Sequence, residues 1–310
     1  MPDVDTGVVR PILKWAGGKR QLLPELRPFY PAQFTRYLEP FLGSGAVFLD
    51  LYNLGLLRGR TVVLSDINAD IIGCYRAVRD EVGEVITALR ELERDYQLGG
   101  DAHFYGIRDR AFNPARRHVH ARPDPAAAYT PRLAAMLIFL NRTGYNGLFR
   151  LNSRGDYNVP AGRYSNPTIC DEANLRAWSQ ALGRPGVTLR VAPFDEALRE
   201  AGQDDFVYLD PPYAPVSATA RFTSYTAGGF DAAAQHRLQQ AVIRLSCRRA
   251  FVLLSNSAAP QVRALYTRQA AKIAGLKATS VAARRAINSR ASSRCPVREY
   301  LITNVNRRPA

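Results

Sequence analysis

Arg36-Tyr37-Leu38-Glu39-Pro40-Phe41 ends a strand-like run, and the turn Gly43-Ser44-Gly45 follows it. Ala46 to Leu57 then reads as a helix with Val47, Leu51 and Leu54 on one face. A second strand, Thr61-Val62-Val63-Leu64-Ser65, stops at Asp66. Strand, glycine turn, helix and strand in this order make an α/β unit of the nucleotide-binding sort. Glycines in such a turn let the backbone approach a ligand and start a helix whose N-terminus faces it. Asp66 closes the second strand about 20 residues after the turn, where an acid can hydrogen-bond the hydroxyls of a ribose. Its plainer reading is a cap on the next helix.

Further along, Asp205-Phe206-Val207-Tyr208-Leu209 is a buried-strand run ending at Asp210. Asp210-Pro211-Pro212-Tyr213 follows, and so lies at the carboxyl edge of a sheet, where ligands bind in these folds. Two prolines fix the backbone and remove two N–H donors, which leaves a rigid corner rich in acceptors. That chemistry suits an exocyclic amine on a base, a poor nucleophile because its lone pair is delocalised into the ring. Carboxylate and carbonyl acceptors hold its hydrogens and draw the nitrogen towards tetrahedral geometry, while Tyr213 offers a flat face to an unstacked base. Direct attack on a sulfonium methyl needs neither a metal nor a covalent intermediate. Asp231 to Cys247 carries Leu238, Val242 and Leu245 at helical spacing, Ala250 to Leu254 is another strand, and Glu299 to Thr303 is expected at the sheet edge.

The middle of the chain differs. Val82, Val85, Ile86, Leu89 and Leu92 form a helical stripe. Phe112 to Pro131 is rich in Pro and Arg and reads as a long basic loop. A helix over Arg132 to Leu140 leads into 141–164, a loop plus β-hairpin with its turn near Ser153-Arg154-Gly155-Asp156. The simplest architecture is one α/β domain interrupted by a mostly helical insert.

The 310 residues are 46% hydrophobic and 22% charged, a globular composition that excludes disorder and collagen-like repeats. With 42 Lys and Arg against 27 Asp and Glu, the net charge of +15 favours a polyanionic partner, nucleic acid before an acidic membrane surface. Cys74, Cys170, Cys247 and Cys295 are far apart and form no C-x-x-C, which argues against zinc and a disulfide framework. His118 and His120 lack companion ligands, so no metal site is expected. No apolar run approaches the roughly 20 residues of a membrane span. The first ten residues contain Asp3 and Asp5 and no apolar core, so no signal peptide is expected and the protein is placed in the cytoplasm.

Lys14-Trp15-Ala16-Gly17-Gly18-Lys19, Glu39 to Gly45, Asp66-Ile67-Asn68-Ala69-Asp70, Asn141 to Leu148 and Asp210 to Tyr213 together resemble the Dam family, in its order and over residues 12–304. That family (the D12 class) comprises DNA adenine N6-methyltransferases that use S-adenosylmethionine. The resemblance implies a Rossmann-like methyltransferase sheet, class α/β, formed by 1–75 and 169–310, with a mostly helical target-recognition domain inserted at 76–168. It implies S-adenosylmethionine as cofactor, held by Trp15, Lys19, Asp66 and Asp210, with Glu39, Phe41, Gly43 and Gly45 in the loop beneath it. Asp210, Pro211, Pro212 and Tyr213 match the catalytic corner, and Lys14 a lysine near the target.

In the hairpin, the resemblance implies that Tyr145 and Asn146 enter the duplex beside the flipped base. Leu148 matches a contact to a thymine methyl, Arg150 an arginine reading guanine, and Pro160 a base contact on the return strand. Arg142, Arg154 and Arg163 read as phosphate contacts, which position without specifying. The implied site is 5′-GATC-3′ in double-stranded DNA, with the protein a monomer. One departure stands out: after Arg284-Arg285-Ala286-Ile287 the family's glycines are replaced by Asn288-Ser289-Arg290-Ala291-Ser292-Ser293. Rival readings are weaker. A cytosine-N4 or RNA methyltransferase fits less well because the corner begins with Asp and the hairpin resembles a duplex reader. A cytosine-C5 enzyme needs a cysteine nucleophile, and Cys295-Pro296 reverses the usual order. A nicotinamide oxidoreductase needs a full G-x-G-x-x-G, and a regulator without catalysis would not need Trp15, Asp66 and Asp210 together.

Overall fold

The structure is a computed structural model that describes residues 7–15, 17–213, 230–283 and 297–308. The 288–293 segment and Cys295 lie outside the described residues. Seven strands, β1 (Arg36–Glu39), β2 (Thr61–Asp66), β3 (Val187–Val191), β4 (Phe206–Leu209), β5 (Phe251–Ser257), β6 (Lys277–Ala283) and β7 (Val297–Thr303), form one sheet of order β3-β2-β1-β4-β5-β7-β6. β1 runs parallel to β2 and to β4, and β4 parallel to β5; β7 is antiparallel to both β5 and β6. Because β1 is flanked by β2 on one side and β4 on the other, the order reverses at β1/β4, the switch point where doubly wound sheets bind ligands. This is the Rossmann-like α/β sheet that the resemblance implies.

The chain divides into two compact units. One comprises Met1–Gly18, Gly43–Leu56 and Asn68–Val191; the other comprises Lys19–Leu42, Leu57–Ile67 and Ala192–Ala310. The second unit has an apolar core in which Val207 and Leu209 of β4, Val252 and Leu254 of β5 and Ile302 of β7 pack with Leu238, Val242 and Leu245. Those leucines and the valine lie on one face of the helix Ala232–Cys247, whose N-terminus is capped by Asp231 accepting from the Ala234 N–H.

The first unit is mostly helical. Its helices are α1 (Ala46–Asn53), α2 (Ala69–Asp80), α3 (Val82–Gly106), α4 (Asn113–His120), α5 (Pro131–Thr143) and α6 (Glu172–Leu182). The central helix α5 buries ten of its thirteen residues and packs against α2 and α3, which accounts for its unbroken apolar run. Thr130 caps it and supplies the stop before Pro131. Asn68, not Asp66, caps α2 by accepting from the Asp70 N–H.

Several sequence expectations change. The Phe112–Pro131 stretch is not a loop throughout, because Asn113–His120 is helical with Pro114 in its first turn. Its buried positions are Asn113, Arg116 and Val119, so the inward face is largely polar and leaves no apolar period to read. The Glu299–Thr303 strand does not lie at the edge. β7 is internal, and the edge is β6, whose Lys277-Ala278-Thr279-Ser280 start is too polar to signal a strand. The first helix ends at Asn53 rather than Leu57, while the 82–92 stripe continues to Gly106 through a non-helical Gly100. β3 and α6 were not anticipated from the sequence. The hairpin turn falls where expected, closed by the Asn152 N–H on the Asp156 carbonyl at 2.8 Å, but its arms form no continuous ladder: two isolated bridges, Gly144 with Ala161 and Leu151 with Tyr157, stand beside single backbone hydrogen bonds.

Candidate active site and target-recognition loop

In the second unit, three neighbouring parallel strands each end on a carboxylate: Glu39 at the end of β1, Asp66 at the end of β2, and Asp210 immediately after β4. The Glu39 carboxylate is buried and accepts from the Tyr37 hydroxyl at 2.8 Å. Phe41 continues beyond β1, with its ring stacked on Phe194 at 5.5 Å between centroids.

Asp210 is the most constrained of the three. Its Oδ1 lies 2.7 Å from Lys19 Nζ and accepts from the Ser255 hydroxyl at 3.1 Å. Ser255 is in turn 2.9 Å from the Tyr208 hydroxyl. Burial raises the Asp210 pKa above the ordinary carboxylate value, and Glu299 adds to the rise; Lys19 and Ser255 oppose both. The corner thus sets the Asp210 carboxyl group directly against one buried ammonium. Tyr213 is fixed by its hydroxyl donating to Glu299 Oε2 at 2.6 Å, and Lys19 Nζ sits 4.6 Å from its ring centroid. Burial, then the Asp210 and Glu299 charges, push the Tyr213 phenol well above its usual pKa, so it stays protonated. The Pro212 carbonyl is approached by Gln235 Nε2 at 3.4 Å.

Carboxylates thus stand on three adjacent strand ends at one edge of the sheet. Glu299, Ser255 and Gln235 were missed by sequence reasoning. Each lies at least 20 residues from the corner it supports, and no local motif announces it.

The first unit contains Trp15, Gly43 and Gly45. Gly43 has φ +47°, and a Cβ there would stand 2.9 Å from the Trp15 indole, so only glycine permits this approach. Its carbonyl accepts from the buried Tyr75 hydroxyl at 2.8 Å. Gly45, at φ +65°, precedes α1. Trp15 also packs against Phe149, with centroids 5.6 Å apart.

The same unit carries the expected recognition residues. Tyr145 and Asn146 are both exposed, and Asn146 is left-handed at φ 54°, a conformation that asparagine tolerates better than most residues. Leu148 is half-buried, whereas Arg150, Arg154, Pro160 and Arg163 are exposed. Arg150 donates from Nε to Asn158 Oδ1 at 2.8 Å and from Nη2 to the Asn158 carbonyl at 3.2 Å. Arg142 directs its guanidinium to the carbonyls of Ile12 and Pro11. Lys14 lies 4.2 Å from the Tyr164 ring centroid, and burial followed by the Arg142 charge lowers its pKa. Asn141, also missed, accepts from the Lys14 N–H and donates to the carbonyls of Lys14 and Gly147, so it ties Lys14 to the Tyr145–Gly147 turn. Gly147 completes that turn at φ +61°, where a Cβ would fall 2.4 Å from Lys14 Cβ.

His118 and His120 are occupied separately, His118 beside Arg122 and His120 Nε2 3.0 Å from Asp70. Among the described residues no group of three or more His, Cys, Asp or Glu is placed to hold a metal ion, and no helix is long and apolar enough to cross a membrane.

Comparison with known proteins supplies the family. The type II methyltransferase M1.LlaDCHI of Lactococcus lactis subsp. cremoris is 34% identical over 300 residues, covering 96% of this chain and 95% of its own. The type II methyltransferase M.MjaIII of Methanocaldococcus jannaschii is 38% identical over 80% of this chain and 84% of its own. The DNA adenine methylase of Escherichia coli K12 is 35% identical over 94% of each. Among solved structures, the rRNA methyltransferase aviRa of Streptomyces viridochromogenes aligns over 91% of this chain and 80% of its own at 14% identity and a TM-score of 0.33, too distant to carry an argument. The model of D12 class N6 adenine-specific DNA methyltransferases matches residues 15–287. With that match over most of its length, the chain belongs to the D12 class of N6 adenine-specific DNA methyltransferases.

Proposed function

We propose that the protein transfers a methyl group from S-adenosylmethionine to N6 of adenine in 5′-GATC-3′ of duplex DNA, acting on a base turned out of the helix. The observation that carries this reading is the row of carboxylates at the ends of β2, β1 and β4, with Asp210 opening a Pro-Pro-Tyr corner. In this reading Asp66 takes the ribose hydroxyls, and Trp15, Lys19, Glu39, Phe41, Gly43 and Gly45 complete the cofactor site. The bound cofactor supplies a methyl carbon made electrophilic by its sulfonium.

Asp210 accepts one N6 hydrogen and a proline carbonyl the other, which returns the nitrogen lone pair towards the methyl. Tyr213, kept neutral and held by Glu299, provides the stacking face. As the N–C bond forms, the methyl–sulfonium bond would break and leave the cofactor as a neutral thioether, while N6 becomes positive and loses one proton to solvent. Residues 76–168 act as the target-recognition part, and 1–75 with 169–310 as the catalytic part. Tyr145 and Asn146 fill the space left by the adenine, Leu148, Arg150 and Pro160 read bases, and Lys14, Arg142 and Arg163 lie along the DNA. Binding is electrostatic in large part, so affinity falls steeply with salt. The protein acts in the cytoplasm as a monomer, with no metal.

Unmethylated plasmid incubated with the protein and S-adenosylmethionine tests this. Parallel digestion uses one endonuclease blocked by N6-methyladenine in GATC and one that requires it. Resistance to the first and sensitivity to the second support reaction, base and site together. Methyl incorporation without either change removes GATC, and no incorporation removes the catalytic reading.

A further inference from the structure

The arms of the hairpin are joined by two isolated bridges and single backbone hydrogen bonds rather than a continuous ladder, so the return arm, residues 155–161, has backbone groups that pair elsewhere. Side chains from residues 105–117, including the α4 helix that the sequence disguised as a basic loop, take up those groups. Asn113 Oδ1 accepts from the Tyr157 N–H at 2.8 Å, and its Nδ2 donates to the Tyr157 carbonyl at 3.1 Å, both in the buried interior. One side-chain amide thus satisfies both backbone groups of a residue, as a neighbouring strand would. Arg108 Nη1 donates to the Val159 carbonyl at 3.0 Å. Arg116 donates to the Gly155 carbonyl, and Arg117 pairs with Asp156. Arg116 is itself anchored on the buried Asp70, with Nη2 2.8 Å from Oδ2.

Positions 157 and 159 are therefore pinned on either side of Asn158. Asn158 is the residue whose side chain and carbonyl receive the Arg150 guanidinium, and its own N–H donates to the Arg150 carbonyl at 3.1 Å. We infer that Asn113 and Arg108 are specificity-positioning residues, which set the orientation of Arg150 through Asn158 without touching DNA. The inference rests on the proposed reading of Arg150 as a base-contacting arginine. Arg108, Arg116 and Arg117 then serve the hairpin rather than the phosphate backbone.

The test uses whichever duplex sequence the unaltered protein methylates, paired with duplexes substituted at one base pair at a time. The readout is the ratio of kcat/KM between the two, which is unaffected by the fraction of protein correctly folded. Asn113→Ala should lower that ratio about tenfold at the same base pair as Arg150→Ala, the size of one lost bidentate contact. The double variant should lose no more than Arg150→Ala alone, because both act through one guanidinium. If Asn113→Ala does not fold, Arg108→Met should reproduce part of the loss, and Arg108→Lys, which keeps a donor for the Val159 carbonyl, should restore it.

A lower rate with an unchanged ratio in both Asn113→Ala and Arg108→Met would overturn the inference, leaving these residues a general structural role. Additive losses in the double variant would also overturn it. The underlying reading fails separately, through an Arg150→Ala protein that discriminates normally or an unaltered protein that methylates no DNA, and the inference falls with it.

Discussion

The Asp210 corner and the 144–161 hairpin solve opposite problems with the same materials. At the corner, an acidic group is drawn into the second unit, closed round by Lys19, Ser255, Tyr213 and Glu299, and built on the end of a fully buried strand. In the hairpin, the proposed DNA-facing groups Tyr145, Asn146 and Arg150 are exposed, and the buried polar groups stand behind them, in Asn113, Asn141 and the Asp70–Arg116 pair. A reacting group gains from a dry, fixed field, whereas groups that meet a large polyanion must remain accessible. Rigidity is thus placed at the proposed acceptor in one region and one layer behind the proposed DNA contact in the other.

The comparison breaks first at Asp210. Asp210→Ala should reduce methyl transfer by about 10³-fold or more while gel-shift affinity for DNA stays close to that of the unaltered protein. Normal turnover in that variant would remove the corner from the chemistry.

The next largest effect tests the layer behind the hairpin. Arg116→Ala leaves the Asp70 carboxylate buried without its guanidinium and should lower unfolding free energy in urea by about 3–5 kcal/mol. Burial alone would raise the Asp70 pKa, but His120 and Arg116 bring it below the ordinary value. The pair's contribution is therefore complete above the unfolded carboxylate value and is lost only as pH falls through the lower folded one. Loss of that contribution at higher pH, near neutrality, would contradict the assignment.

Arg150→Ala should cost about 1–3 kcal/mol of discrimination at a single guanine, with a smaller loss of overall affinity. A uniform loss at all sequences would instead make it a phosphate contact.

The subtlest prediction concerns pH at the corner. If Asp210 is the proposed acceptor it must be ionised, and because burial raises its pKa, kcat should fall on the acid side at a pH above the ordinary carboxylate range. Lys19→Gln removes the main opposing charge and should move that acid limb to higher pH; a limb that does not move would separate Lys19 from Asp210 function.

The two regions also differ in how far they could be read in advance. The glycine turn, the run into Asp210 and the Rossmann-like order of elements are contiguous in the chain, and contiguous apolar or glycine-rich signals survive in one dimension. The helix Asn113–His120 did not, because its inward face is Asn113 and Arg116, which read as surface residues until their partners Tyr157 and Asp70 are known. Nor did β6, whose polar start hid the edge of the sheet.

By itself, the sequence determined the α/β class, the strand ends that bear Asp66 and Asp210, and the candidate residues at each motif, since these depend on local pattern and backbone restriction. Only the tertiary structure decided which polar group satisfies which. Glu299 reaches Tyr213 across 86 positions, Ser255 reaches Asp210 across 45, and Asn113 reaches Tyr157 across 44. A buried polar group must find a partner, but nothing in its own neighbourhood along the chain says where that partner lies.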